Sequence, residues 1–424
     1  MIPFLDLFNS LFSTAVLLLL LARMKSFTSI FCVLLAFDIF LVFPLFVEFL
    51  LGVSPLNYYG YKLALNDIFT SFMYGIFIFC SQIFFYREVS YQACKQELKQ
   101  FVVNNKRTVY IKYLCILGVF SLLFVILLSP NPFVYFTSLD AFSMSIENRT
   151  PAEIAYHKRI VKKMIWLCFI CVFCLKYIDS KKSLGLLIIR IIGIVLVAFT
   201  NGKRTRPMMM VGGCLLIDFF KDANNFRGNL RKAFFIIALI IGYFMFYANM
   251  TGKIKYSKSL YALFSDYFFR DNTARVAIYS VLHPDKLKIL EYPLQTVLYN
   301  IFFFVPRSVW TWKGYPYSVY FFSGVQNFSS LVIADWRFQT SIVGEFISNF
   351  NLLGMPIFLL FVKKTTRFFN TQHFIYKLVG TALLCLLMVF EFSDMFKIIA
   401  VALCLFPLLK RIKWSYFFSI RGIV

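Results

Sequence analysis

The sequence predicts an all-α polytopic membrane protein with about eleven transmembrane helices (roughly ten to twelve) and one long extracytoplasmic loop. Three observations carry this. Of 424 residues, 60% are hydrophobic, and the mean hydropathy is +0.73, outside the range of ordinary soluble domains. Apolar runs close to the length of a span recur along the whole chain. Basic residues gather in every second interval between those runs. The net charge of +24 would point to nucleic acid in a soluble protein. Here the cations orient the chain against a bilayer, and no nucleic-acid partner is expected.

A span needs about 20 apolar residues. The runs are 3–22, 27–51, 67–86, 113–129, 161–178, 183–200, 207–220, 233–250, 340–362, 374–391 and 396–409, of which 207–220 and 396–409 are short. Run 3–22 has no basic start and no small-residue cleavage site, so it reads as a retained span. Arg23 and Lys25, the cluster from Arg87 to Lys112, Lys176 with Lys181 and Lys182, Lys221 to Lys232, Lys363 to Arg367, and Lys410 to Arg421 all fall on one side of alternating spans. That side reads as cytoplasmic, which places the N-terminus outside and the C-terminus inside. The chain reads as one integral membrane domain, 1–424.

The outside intervals are 52–66, 130–160 and 251–339. Only the last is long, and loops of that length carry structure or function. Asp266 with Arg270, and Asp271 with Arg275, are spaced i, i+4, which predicts short interfacial helices there. All cysteines but Cys94 lie in apolar runs, so no disulfide framework is expected. Cys168, Cys171 and Cys174 read as small packing residues rather than metal ligands.

The stretch from Tyr299 to Gly354 concentrates the chemistry. It sets Arg307 and Lys313 among tryptophans and tyrosines, then places Glu345 just inside an apolar run. Aromatic residues with a few cations suit a membrane interface, and a carboxylate inside an apolar helix must be paired or used. The turn NGKRTRP puts Lys203, Arg204 and Arg206 on the outer side, against the positive-inside tendency. Guanidinium forks match phosphate oxygens, so Lys203, Arg204, Arg206, Arg307 and Lys313 together read as a diphosphate site. Arg307 and Glu345 are the catalytic candidates, with Glu345 as the base. Asp335, His283 and Arg275 are secondary candidates, and Glu48 and Glu391 weaker ones. Asp38 and Arg190 fall at similar depths in their spans and read as a buried ion pair. No phosphate-binding glycine loop, HExxH or EF-hand pattern occurs, and no metal or other cofactor is expected.

These features resemble a family. A polytopic chain with a long late outside loop, VPRSVWTWK and then TSIVGEFISNFNLLG before the next span, looks like the Wzy-type oligosaccharide repeat-unit polymerases of O-antigen and capsule assembly. The NGKRTRP turn is similar to that family's outside Gly-x-Arg segment. The chain has Trp312 where the pattern leads one to expect proline, and Asn351 where it leads one to expect glycine. The resemblance implies a metal-independent, GT-C-like glycosyltransferase in the bacterial inner membrane. It implies transfer of a growing glycan from undecaprenyl diphosphate to a hydroxyl of a new lipid-linked repeat unit. Its implied partners are those lipid-linked oligosaccharides, the bilayer and a chain-length regulator. An O-antigen ligase or a lipid-linked oligosaccharide flippase is the alternative.

Overall fold

The computed structural model describes residues 2–24, 26–51, 58–95, 100–103, 105–137, 150–179, 183–201, 205–221, 225–250, 269–334, 338, 340–372, 374–393, 395–396 and 418–421. These are overwhelmingly helical, apart from one antiparallel ribbon that pairs Gln100–Val103 with Phe418–Arg421. Five helices are long and apolar enough to cross a membrane: Ile2–Arg23, Ser29–Leu51, Ile68–Ala93, Val109–Leu127 and Ile342–Asn370. Leu184–Thr200 and Phe374–Leu387 are shorter apolar helices. Helices also occupy Lys162–Ile178, Thr205–Lys221 and Phe226–Met250, so the apolar runs mark helices along the described chain. The run at 396–409 lies almost wholly outside the described residues.

The chain gathers into two compact units. The first comprises Met1–Gln96 and Ser257–Arg411; the second comprises Glu97–Tyr256 and Ile412–Val424.

In the first unit, the Ile2–Arg23 helix packs against Ile68–Lys95 and Phe43–Leu51. The Ser29–Leu51 span is not a regular helix. A π turn at Asp38–Val42 separates Ser29–Phe37 from Phe43–Leu51. Pro44 has no N–H to offer the carbonyl of Phe40. The Arg270 backbone N–H donates to that carbonyl instead, at 2.9 Å. A broken span thus becomes a docking point for the chain that follows residue 268. Backbone carbonyls at membrane depth must be hydrogen-bonded, and Arg270 supplies a donor to this one.

The long loop folds into short helices at Asp271–Leu282, Gln295–Ile301 and Tyr317–Val325. The first differs from the expected interfacial helix. Every residue from Asp271 to Tyr279 is buried. It packs against Ile342–Phe350, Tyr59–Asn66 and Ile68–Lys95. Its Asp271–Arg275 pair exists, at 3.8 Å, but in the interior rather than at a surface. An apolar cluster that includes Tyr61, Leu65, Val276, Tyr317, Phe321 and Phe338 holds the loop to the unit.

The second unit is built on Asn105–Leu127, Lys162–Ile178 and Leu184–Asn201. Cys115, Cys168 and Cys171 lie in its apolar core with Val119, Leu122 and Val172. The described cysteines are all free thiols.

Candidate functional site

The return of the loop to the membrane is organised by Glu345. It stands in the first turn of the Ile342–Phe350 helix, where the helix dipole favours an anion. The side chain is 2% exposed. Oε1 accepts from the Thr296 hydroxyl at 3.0 Å and the Asn300 amide at 3.1 Å. Oε2 accepts from the Phe392 backbone N–H at 2.7 Å. Thr296 and Asn300 are one turn apart on Gln295–Ile301, so one helix face presents both donors. Asn349 completes the joint. Its Nδ2 donates to the Glu345 carbonyl and to Thr296 Oγ1, each at 2.7 Å, and its Oδ1 accepts from the Thr296 N–H at 3.2 Å. The N-terminus of one short helix is thereby capped by the C-terminal turn of the next.

A second carboxylate does similar work. Glu391 accepts from the Ser318 N–H at 2.6 Å, the Ser318 hydroxyl at 3.1 Å and the Thr340 hydroxyl at 3.3 Å. It therefore places an anion at the N-terminus of Tyr317–Val325.

Arg307 and Lys313 lie between these joints in sequence and differ sharply from one another. Lys313 is 8% exposed, and its ammonium donates to the Phe303 and Val305 carbonyls, each at 2.7 Å. It closes the loop on itself, over the Tyr299 ring. Arg307 is exposed. Its Nη1 donates to the Lys313 carbonyl and its Nη2 to the Gly314 carbonyl, both at 2.8 Å. The guanidinium sits 3.9 Å from the centre of the Tyr315 ring. A guanidinium has five N–H donors, so three remain without a partner among the described residues. The fork is thus held in place with donors to offer. Around it, Phe302, Phe304, Val309 and Trp312 are exposed, Trp312 to 74%. Such a lip of aromatic and apolar side chains suits the headgroup level of a bilayer.

The secondary candidates separate likewise. Arg275 is wholly buried and bonds Asp6 and Glu48, each at 3.0 Å. His283 is one-third exposed, and its Nε2 lies 3.6 Å from Asp67 Oδ2. Asp67 also accepts from the Thr70 N–H at 2.8 Å and hydroxyl at 2.7 Å, capping Ile68–Lys95. Asp335 lies outside the described residues, as do Lys203 and Arg204. Arg206, in the second unit, is half-buried with its guanidinium 5.0 Å from the Trp166 ring. In the same unit His157 is buried, and its Nδ1 lies 3.2 Å from the Tyr135 hydroxyl. Burial, with Lys162 and Arg206 nearby, pushes its pKa down to about 4.

The expected Asp38–Arg190 pair is not formed. Arg190 bonds Asp179 at 2.9 Å, and Asp38 accepts from the Gln82 amide at 2.6 Å. Each finds its partner within its own unit. The structure adds Asp6, Asp67, Thr296, Asn300 and Asn349 to the candidates. Asp6 had a usable signal, since it is a lone carboxylate in an apolar run. Thr296 and Asn300 had only their i, i+4 spacing.

No family model, curated protein or solved structure matches the chain.

Proposed function

We propose that the chain is a Wzy-type polymerase of undecaprenyl-diphosphate-linked repeat units, acting on the outer side of the bacterial inner membrane. In this reading it has about eleven spans, a GT-C-like architecture, an outside N-terminus and a cytoplasmic C-terminus. The observation that carries the proposal is Arg307. It is an exposed guanidinium fixed by two backbone carbonyls and a tyrosine ring, with unengaged donors, among exposed apolar side chains. That combination suits an anion attached to a lipid.

The chemistry is a substitution at an anomeric carbon. The acceptor hydroxyl oxygen forms the new bond to that carbon. The bond from the carbon to the diphosphate oxygen breaks, and its electron pair leaves with the diphosphate. Arg307 would stabilise the charge that grows there. Lys313 would position the loop that carries it, because its ammonium is engaged by the loop's own carbonyls. Glu345 already holds three donors, so its contacts favour an anchoring role over proton transfer. His283, partly exposed and backed by Asp67, is the better-supported acceptor for the hydroxyl proton. Lys203, Arg204 and Arg206 belong to the second unit and enter this reading only through the family resemblance.

The test pairs binding with glycan length. Charge-assisted hydrogen bonds contribute about 1.5–3 kcal/mol, so Arg307→Ala should weaken polyprenyl diphosphate binding about ten- to a hundredfold. Arg307→Lys keeps the charge without the planar fork and should fall between. In cells, Arg307→Ala should leave single repeats attached to the lipid core. Loss of all attached glycan would instead favour the ligase or flippase. A folded Arg307→Ala protein that binds the diphosphate like the parent places the anion site elsewhere.

A further inference from the structure

A second polar centre in the first unit takes no part in that reaction and does not depend on it. Four charged side chains meet there: Asp6 from the first span, Glu48 from the second, and Asp271 and Arg275 from the first loop helix. Arg275 Nη2 donates to Asp6 Oδ1 and to Glu48 Oε2, both at 3.0 Å. Its guanidinium lies 5.2 Å from the Tyr74 ring. The side chains of Asp271 and Arg275 are 0% exposed, Glu48 is 1% and Asp6 is 4%. The groups facing Asp271 are Glu48 and Tyr74 from the packed spans, and Arg275 and the Asn272 backbone N–H from its own helix, while Asp6 faces Arg275. Tyr74 donates its hydroxyl to the Leu41 carbonyl at 2.6 Å and is neutral.

The centre therefore sets three carboxylates against one guanidinium, with no water-facing side. A buried charge without a counter-charge is unfavourable, so the excess must be neutralised. Asp271 is where that falls. No hydrogen bond of normal geometry reaches either of its oxygens, nor does one leave Arg275 Nε or Nη1. The nearest charged donor, Arg275 Nε, lies 3.8 Å from Asp271 Oδ2, too far for a normal hydrogen bond, so an ionised Asp271 would be poorly served here. A protonated one becomes a donor, and Glu48 is beside it as an acceptor. Burial pushes the Asp271 carboxyl well above the usual range; the Glu48 charge adds to this and Arg275 opposes it.

We propose that this centre is a proton-binding site in which Asp271 carries a proton directed at Glu48, while Glu48 and Asp6 accept from Arg275. The proton makes the centre a latch. It lets the Asp271–Leu282 helix dock against the first two spans without a third buried anion. That helix in turn supports the one carrying Glu345. Thr273 Oγ1 lies 3.4 Å from Ser341 Oγ, and a side chain at Gly344 would meet the Thr273 carbonyl at 3.2 Å. Loss of the proton would therefore loosen the helix on which the loop's return is built.

The pH dependence follows in sign. An unfolded aspartate titrates near about 4, and the folded one higher. The folded state then holds a proton that the unfolded chain has released. The stabilisation is complete below the unfolded value and is lost as pH rises through the folded value. The experiment is thermal unfolding of the full chain in detergent from about pH 5 to about pH 9, for the parent and Asp271→Asn. The amide copies the neutral acid. Above about pH 7, beyond the range where His157 contributes, the parent's Tm should fall with pH, and the variant should fall less steeply and lie at or above the parent at the alkaline end. In an Asp38→Asn background, the infrared carbonyl band of a protonated carboxyl should be present at neutral pH and absent once Asp271→Asn is added. A variant destabilised equally at every pH overturns the proposal, because Asp271 would then be the ionised partner of Arg275. A Tm raised by sodium in the parent but not the variant overturns it in favour of a metal cation. If Asp271→Asn does not accumulate, the infrared spectrum of Asp38→Asn decides. That variant keeps the centre and removes the other buried, half-partnered carboxyl of the span. A protonated-carboxyl band in it supports the proposal, and its absence overturns it.

Discussion

Glu345→Gln separates an anchor from a base. The parent carboxylate satisfies three donors, the Thr296 hydroxyl, the Asn300 amide and the Phe392 N–H, at 2.7–3.1 Å in a buried site. Glutamine keeps the shape but offers one acceptor oxygen and one NH2. If the oxygen faces Phe392, the NH2 faces the Asn300 amide, which must flip or lose its partner. If the oxygen faces Thr296 and Asn300, the NH2 points at the Phe392 N–H, which no flip can cure. Each stranded buried donor costs about 1–3 kcal/mol, so Glu345→Gln should destabilise by about 2–3 kcal/mol. Glu345→Ala strands all three and should cost about 3–9 kcal/mol, a large share of a typical folding free energy. Asn300→Ala removes one donor to a charged acceptor and should cost about 1.5–3 kcal/mol. Glu345→Gln and Asn300→Ala should be non-additive, since they touch one network. The assay is reversible unfolding in mixed micelles, run with the activity assay on the same preparations. A Glu345→Gln protein with the parent's stability and no activity would refute the anchor and restore Glu345 as the base.

Asn351 has φ 54° and ψ −152°, in a region that in practice only glycine occupies comfortably, between the Ile342–Phe350 helix and the turn that follows it. Relief of about 1–3 kcal/mol of strain, less up to about 1 kcal/mol for glycine's flexibility, should leave Asn351→Gly more stable, read as a higher Tm. In the second unit, Arg190 and Asp179 form a pair whose side chains are 7% and 4% exposed. Arg190→Ala should cost about 3–5 kcal/mol by stranding Asp179, and Arg190→Leu with Asp179→Leu should recover much of it; a double variant no better than the single would refute the pairing.

The sequence by itself determined where the helices lie and which residues would be expensive. Apolar runs such as 3–22, 27–51 and 374–391 became helices because a backbone in an apolar medium must bond to itself. Glu345 inside an apolar run announced a carboxylate that needed partners. Asn351 stood out where a glycine was expected, and the backbone there has the geometry that glycine favours.

Tertiary structure decided who those partners were. Glu345 meets Thr296, Asn300 and Phe392, which are remote in sequence and uncharged. Nothing in a local pattern identifies neutral donors delivered by another helix. Arg307 and Lys313 look alike as two cations in an aromatic loop. One is exposed and the other buried because of which carbonyls the loop turns toward them. Asp38 and Arg190 show the limit from the other side. Position along a helix sets depth, but helix packing sets which faces meet, and it gave Arg190 to Asp179 and Asp38 to Gln82. The i, i+4 spacing of Asp271 and Arg275 held. Its burial was illegible, because a polar helix face reads as solvated until other segments bring carboxylates such as Asp6 and Glu48 to cover it.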